Sequence, residues 1–453
     1  MKIKDILGIS NARLIVGDPN ALLANFSKDT RTIQAGDTYI AFTGENFDGN
    51  DYYEEAFLKG AQTCILSKLE DPQKACIKYA LKNILLVDDP TFFITQLATI
   101  KRASLNIPVI AVTGSVGKTS TKNLIADVLA EKYHVLKTPG NLNTNIGLSL
   151  TILNYQNEDC LVLEMGMNQF GEIAVLTNIA KPTIAVITNI GTSHIGNLGS
   201  RENILKAKLE ILEGLNGPII VNNDNDLLHK WASLNNTKDI ITFGIAKPSL
   251  YQARNLQYSK DGCSFSLLDH TYRIPVFGKA FVYNSLVAII VGKLLHVEDA
   301  KLDEALANIK TEEHRMQIMN QKKFTIIDDT YNASYDSVVL ALDVLKEFLG
   351  RKIAVLGDIL ELGEFGEEIH RKIGKVVANI GIDLLITVGP LAHFINEEAL
   401  NYGFDAQFSY HFENNDDAIS FLKANLQQDD VVLVKASHGM NFLKIVQEIA
   451  DGN

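Results

Sequence analysis

The sequence predicts an α/β protein of three domains: a small α/β N-terminal module over 1–83, a central domain with a mostly parallel sheet over 84–309, and a C-terminal α/β domain over 310–453. Three observations predict it. Strand-like runs alternate with helical ones through the middle of the chain, which is the pattern of a parallel sheet flanked by helices. One of those runs, beginning at Val109, passes through a glycine turn directly into a helical pattern that ends near Ala130. A second alternating series starts near Lys310. The length of 453 residues suits two to four domains rather than one.

Taken in order, Asp37–Thr43 reads as a strand, Tyr52–Lys59 as a helix and Thr63–Ser67 as a second strand. Ile84–Val87, the turn at Asp88–Pro90 and the helical spacing of Phe93–Arg102 lead into the central domain. There Val109–Thr113 is a β-branched run, Gly114 and Gly117 turn the chain, and Lys122–Ala130 carries apolar residues at helical spacing. Leu161–Leu163, Ile184–Ile187 and Ile219–Val221 read as further strands, and Glu202–Leu215 as a helix. Tyr251–Pro275, with β-type residues and turns at Asp261–Gly262 and Leu268–Asp269, predicts an antiparallel appendage. The most apolar stretch, Phe281–Val297, contains Asn284 and Lys293 and so reads as a core helix, not a membrane span. Thr325–Ile327, Lys352–Leu356, Leu384–Val388 and Val431–Val434 are the strands of a Rossmann-like last domain.

Composition narrows the partners. With 46% hydrophobic and 21% charged residues, the chain can bury large cores and is not disordered. A net charge of −12 argues against nucleic acid or an anionic membrane as the main partner. It also requires a local basic pocket for any anionic ligand. Cys64, Cys76, Cys160 and Cys263 are scattered, without metal-ligand spacing, and read as free thiols of a cytoplasmic protein. The start, Met1–Ile9, is too short and too interrupted for a signal peptide.

The strand–turn–helix at 109–130 is the context a phosphate-binding loop requires. In Gly114–Ser115–Val116–Gly117–Lys118–Thr119–Ser120, backbone N–H groups and the helix N-terminus converge on an anion. Lys118 can reach terminal phosphates, and the Thr119 hydroxyl can hold Mg²⁺. The spacing is shorter than the usual Walker loop, with Val112 where its first glycine would stand; an ordinary βα turn is the competing reading. The strand Leu161–Leu163 ends in Glu164, which a parallel sheet would carry to the same edge as the loop, opposite Thr119. A lone surface carboxylate is the competing, less favoured reading of Glu164. His194, in the loop after Ile187, can ligate a metal or contact a γ-phosphate, but a loop histidine is as readily a plain hydrogen-bonded side chain. Lys208, alone on a helical pattern, reads locally as a solvated face.

These stretches together resemble the Mur ligase family, from about Asp29 to Ser437. The loop Thr113–Ser120, Gly140–Gly147, Glu164–Asn168, Asn189–Gly191 with His194, and Ala207–Lys208 with Glu210 are similar to the family's central motifs, in the same order. Asp328–Ala333, Leu356–Asp358 with Glu361–Gly363 and His370, and Leu433–Lys435 with Ser437 resemble the C-terminal motifs of the member that adds D-alanyl-D-alanine to a UDP-MurNAc-tripeptide. Asp29–Arg31, Gly36–Asp37 and Gly44–Gly49 resemble its UDP-binding module.

The resemblance implies an ATP-dependent amide ligase working through an acyl phosphate, with a central P-loop-type ATPase domain. The first domain would bind the UDP part, through Asp29, Thr30, Arg31, Asn46 and Asp48. ATP would lie on residues 114–120 and on Asn284, Arg315, Asp329 and Asn332, and Asn141, Asn143, Lys435 and Ser437 would face the other substrates. Lys118, Glu164, His194 and Lys208 would be catalytic. Two Mg²⁺ ions would be held by Thr119, Glu164, His194 and Lys208, the last carrying CO₂ as a carbamate. The partners would be the two small-molecule substrates, with no nucleic acid and no membrane segment, and the chain would be a monomer. The departures from the family pattern are Ala280–Phe281 before Asn284, Ser334–Tyr335 after Ala333, His438 in place of an arginine, and Thr144 in place of an asparagine. None falls on Lys118, Glu164, His194 or Lys208, so activity is expected to survive with altered contacts around the site. The rival readings are a sister ligase that adds a single amino acid, or extends folate with glutamate, and a catalytically silent P-loop binding module.

Overall fold

The computed structural model describes residues 1–235, 239–259 and 262–451. Its first sheet runs, in spatial order, Arg13–Val16, Asn83–Leu86, Thr63–Leu66, Thr38–Ile40 and Phe26–Ser27. Only the edge strand Arg13–Val16 is antiparallel to its neighbour. The chain leaves this sheet through Asp88–Pro90. There the Asp89 carboxylate accepts the N–H groups of Thr91 and Phe92, at 2.8 and 3.0 Å, and Pro90 takes the first helical position. The capped helix Pro90–Ala103 buries Phe93, Ile94, Leu97 and Ala98.

The central sheet has seven strands in the order Tyr251–Gln252, Ile240–Gly244, Ile219–Asn222, Ile184–Ile187, Val109–Thr113, Cys160–Glu164 and Val135–Lys137, all parallel. Its four middle strands, from Ile219–Asn222 to Cys160–Glu164, are buried on both sides, which is why they read as near-continuous apolar runs. Helices Lys118–Ala130 and Lys279–Leu294 pack on one face through Leu124, Ile125, Val128, Val282, Leu286 and Ile290. Pro90–Ala103, Asn145–Leu153 and Glu172–Ala180 cover the other. Lys279–Leu294 is a core helix as expected, and among the described residues no helix is long and apolar enough to cross a membrane.

The structure differs from the sequence reading in three places, and the first has a physical cause. The helix expected over Glu202–Leu215 ends at Leu209 and continues as a 3₁₀ turn, Glu210–Glu213. Glu210 is drawn away by a distant helix start: its carboxylate accepts from the N–H of Gly171 at 2.8 Å and of Ala174 at 3.1 Å. The appendage is antiparallel, with strands Arg254–Ser259, Gly262–Leu267 and His270–Ile274, but Tyr251–Gln252 belongs to the edge of the central sheet. The turn expected at Asp261–Gly262 begins on Asp261, outside the described residues. The short strands Val135–Lys137 and Ile240–Gly244 escape the sequence reading.

The last sheet has six strands in the order Gln317–Asn320, Thr325–Asp328, Val431–Lys435, Lys352–Gly357, Leu384–Val388 and Ser409–Phe412, parallel except for the first. The chain crosses into it through residues 308–316. In this link His314 and Met316 hold φ of +60° and +50°, a region that costs a non-glycine residue energy. They are kept there by hydrogen bonds: His314 Nδ1 lies 2.7 Å from Asp328 Oδ2, and the Met316 N–H donates to Asp329 Oδ1 at 3.1 Å.

Arg102 fastens the first of these helices to the central domain. Its guanidinium, in a residue only 8% exposed, donates to the carbonyls of Ala180 at 2.6 Å, Leu105 at 2.7 Å and Lys181 at 2.9 Å. Removing it leaves three acceptors without their donor. Arg102→Ala is therefore expected to destabilise the chain by about 3 kcal/mol in urea unfolding, with a change under about 0.5 kcal/mol setting this role aside.

Candidate active site

The strand Val109–Thr113 lies between Cys160–Glu164 and Ile184–Ile187, so the C-terminal ends of all three open on one edge of the sheet. The loop at the first of these ends is shaped by contact and conformation. Gly114 has φ +150°, and a Cβ there would sit 1.9 Å from Thr188 Oγ1. Gly117, at φ +83°, starts the helix Lys118–Ala130. The N–H groups of Ser115 and Val116 both donate to Asn189 Oδ1, at 3.0 and 2.9 Å. An oxygen thus already sits where the loop gathers its donors, as expected of an anion cradle. Lys118 Nζ curls back to the Gly114 carbonyl at 2.9 Å. Burial pushes its ammonium below the usual lysine range, nearby Glu164 raises it, and Arg315 lowers it again.

Glu164, at 1% exposure, is a buried carboxylate rather than a surface one. Asn143 Nδ2 donates to its Oε1 at 2.8 Å, but its Oε2 is buried without a hydrogen-bond partner. Lys122 Nζ is 3.8 Å from Oε2 and is itself committed to the carbonyls of Thr138 and Gly140, at 2.8 and 2.9 Å. An orphaned carboxylate oxygen in the cavity that Thr119 also lines fits a hard divalent cation. Among the described residues no three His, Cys, Asp or Glu side chains converge as a metal cage. Mg²⁺ needs none, because phosphate oxygens and water complete its shell.

Lys208 overturns its local reading. It is 1% exposed, and burial together with the nearby Lys118 pushes its amine well below the usual lysine range. His194 stands in the same positive field: burial, then Lys118 and Lys208, hold its imidazole down to about 4. Glu361 Oε2 lies 3.3 Å from His194 Nδ1, yet that nitrogen has no hydrogen bond of acceptable geometry. With the ring neutral the contact is not an ion pair either.

The C-terminal domain closes the cleft. Arg315 stacks on the Tyr331 ring at 3.7 Å, and its Nη2 reaches Thr119 Oγ1 at 3.4 Å. The resulting cavity, about 220 Å³, is lined by Ser115–Thr119, Asn141, Asn143, Glu164 and His194 from the central domain and by Arg315, Tyr331, Asn332 and Ser334 from the last one. An adjoining, more apolar pocket lies between Phe277, Ala280, Phe281, Leu340 and Val344, with Ser120, Asn284 and Asp329 at its polar end. The Asn284 amide oxygen accepts from Thr121 Oγ1 at 2.9 Å. Lys435 Nζ is bound to Asp329 Oδ2 at 2.5 Å and to the Asn332 carbonyl at 2.9 Å, so it sits with the apolar pocket. Ser437 lines a third pocket with Lys118, His194, Glu361 and His438. Asp29, Thr30, Arg31, Asn46 and Asp48 lie outside all three. Asp29 is held down to about 2 by Arg31, and Asp48 to about 2 by Lys68 and Asn50. Sequence reasoning missed Lys122, Asn189 and Tyr331 as site residues. The motif Asn189–Gly191 was visible, but nothing in it marks the carbonyl that fills the loop.

His194 makes one property of the fold depend on acid. Between its ordinary value of 6.5 and about 4, the unfolded chain binds a proton here that the folded chain does not. Stability therefore falls as pH drops through that window. His194→Asn, which tolerates the residue's φ of +64°, is expected to lose less stability than wild type between about pH 7 and about pH 4.5, read from urea midpoints. Equal losses would contradict a half-buried neutral imidazole.

Comparison with known proteins agrees with this geometry. Residues 112–292 match the Mur ligase middle domain and residues 314–438 the glutamate ligase domain of Mur ligases. The chain is 37% identical over 432 residues to a UDP-N-acetylmuramoyl-tripeptide–D-alanyl-D-alanine ligase of Bacillus subtilis, covering 93% of this chain and 92% of that one. It is 31% identical to the Escherichia coli protein of the same name, covering 93% of each. Its structure superposes on MurF from Acinetobacter baumannii with a TM-score of 0.87, at 26% identity over 99% of this chain and 98% of that one. It superposes on MurF ligase from Thermotoga maritima in complex with ADP with a TM-score of 0.81, at 28% identity over 95% and 97% of the two chains. The chain belongs to the Mur ligase family.

Proposed function

We propose that this chain joins D-alanyl-D-alanine to a UDP-N-acetylmuramoyl-tripeptide, converting ATP to ADP and phosphate. The observation that carries the reading is the cleft in which an anion-cradling loop, a buried carboxylate and a neutral histidine of one domain face an arginine from another. Relatives that match along nine-tenths of the chain carry that name.

A carboxylate resists attack by an amine because its leaving group would be oxide. Transfer of the γ-phosphoryl group from ATP removes the obstacle: an O–P bond forms on the substrate carboxylate, and the bridging P–O bond breaks to release ADP. The dipeptide amine then attacks the acyl carbon, and inorganic phosphate departs as the C–N bond forms. Such chemistry needs positioning and charge neutralisation more than a protein nucleophile. Residues 114–120 hold the phosphates, Lys118 faces the transferred group, and Arg315 adds positive charge from the closing domain. The purine occupies the apolar pocket, with Asn284, Asp329 and Asn332 at its polar rim. Asn141, Asn143, Lys435 and Ser437 contact the peptide substrates, and Asp29, Thr30, Arg31, Asn46 and Asp48 take the uridine end.

Mg²⁺, when bound, neutralises the phosphate charge; Thr119 and Glu164 would hold one ion, and His194 with a carbamate on Lys208 a second. The support for the carbamate is local. Lys208 is buried and its amine is pushed well below the usual lysine range, which favours the uncharged form that adds CO₂, losing a proton and becoming a carboxylate. We take 1–83, 84–309 and 310–453 as the uridine, ATP and dipeptide domains. We take the monomer as the working unit, and the four free cysteines fit the cytoplasm.

The deciding experiment is phosphate release from ATP with the UDP-linked tripeptide. Release is expected with D-alanyl-D-alanine and not with single amino acids; the reverse preference would assign the chain to a sister ligase. Lys208→Ala should lose activity by at least about a hundredfold, and acetate or propionate should restore part of it by supplying the missing carboxylate. Lys118→Ala should not be rescued, and Lys208→Arg should stay inactive because it keeps a cation there. An active Lys208→Arg enzyme would remove the carbamate.

A further inference from the structure

The loop after Ile187 joins the two halves of the cleft, and the bond that does so involves a residue outside every motif above. Asp336 stands in the first turn of the C-terminal helix Tyr335–Glu347. Its Oδ2 accepts the Thr192 N–H at 2.9 Å, with the Thr192 hydroxyl at 3.3 Å. The carboxylate lies directly over Gly191: a Cβ on that residue would come within 2.1 Å of Oδ2 and 2.6 Å of Cγ. Gly191 is not among the residues with positive φ, and the three atoms nearest to a side chain placed there all belong to Asp336. On its other side the loop is tied to the phosphate cradle. The Gly191 N–H donates to Ser115 Oγ at 2.9 Å, and Ser193 Oγ to the Ser115 carbonyl at 3.3 Å. Arg201 and Asn225 hold the Ile190 carbonyl, each at 2.9 Å. Ser115, Arg201 and Asn225 of the central domain therefore hold this loop, and from the last domain the Asp336 carboxylate accepts its Thr192 N–H.

We propose that Asp336 is a positioning residue. By seating on Gly191 and Thr192 it couples closure of the C-terminal domain to the final placement of the 189–194 loop, and so of His194 and the Ser115 end of the phosphate cradle. Its kinetic consequence rests on the ligase reading; its structural consequence does not. The competing explanation is that Asp336 merely complements the dipole of its own helix. That role requires the charge and is indifferent to Gly191, whereas the grip requires an acceptor oxygen and an empty position 191.

The test uses the full chain and four variants: Asp336→Ala, Asp336→Asn, Gly191→Ala and the double Gly191→Ala/Asp336→Ala. Turnover with the UDP-linked tripeptide and dipeptide is measured beside amide hydrogen exchange over 189–194, with a non-hydrolysable ATP analogue present. Asp336→Ala is expected to lower kcat about tenfold and to speed exchange at 191–194. Asp336→Asn, which keeps an acceptor in place, should restore most of both. Gly191→Ala should match Asp336→Ala, because its methyl group displaces the carboxylate, and combining the two should add nothing. The proposal is overturned if Asn and Ala at 336 behave alike, or if the effects of Gly191→Ala and Asp336→Ala simply add. If wild type turns over no dipeptide, the ligase reading fails, while unchanged exchange in Asp336→Ala would overturn the grip by itself.

Discussion

The cleft depends on one pairing. Val109–Thr113 sits in parallel register between Cys160–Glu164 and Ile184–Ile187, with Val112 opposite Glu164 and Thr113 opposite Ile187. Parallel strands end at the same edge, so the phosphate loop, the carboxylate and the histidine loop emerge side by side although 80 residues of chain separate the first from the last. A one-residue slip of the Glu164 strand would turn its carboxylate to the opposite face. The apolar runs that fix this register are thus part of the site.

Burial then sets the charges. Lys118, Lys122 and Arg315 lie around Glu164, and Lys208 and His194 are close enough for Lys118 to depress both. In a chain of net charge −12, this is the local basic pocket that an anionic substrate requires. Burial first, and then the neighbouring positive charges, push Lys208 and His194 toward their uncharged forms, while the Arg315 guanidinium faces the same cavity.

Sequence exposed what is local. The β-branched run, the glycine turn and the helical spacing after it revealed the phosphate loop, and the strand ending in Glu164 was legible because burial on both faces makes it apolar throughout. Contacts made across long separations were not. Lys208 looked solvated because nothing adjacent to it announces that helix Arg201–Leu209 packs it inward. The helix break at Glu210 serves N–H groups nearly 40 residues earlier in the chain. Asn189, Lys122 and Tyr331 matter through partners the sequence does not place beside them. The edge strand Val135–Lys137 and the strand Ile240–Gly244, next to the opposite edge, are partly exposed, too weakly patterned to stand out.

The link at 308–316 bears on how the closed form is held. His314 and Met316 occupy the left-handed region without the freedom of glycine, at about 1 kcal/mol or more each. Their restraints, Asp328 and Asp329, belong to the closing domain itself. Strained residue and restraint lie in the same domain, so the strain is held inside it and keeps the segment that carries Arg315 to Thr119 in one geometry.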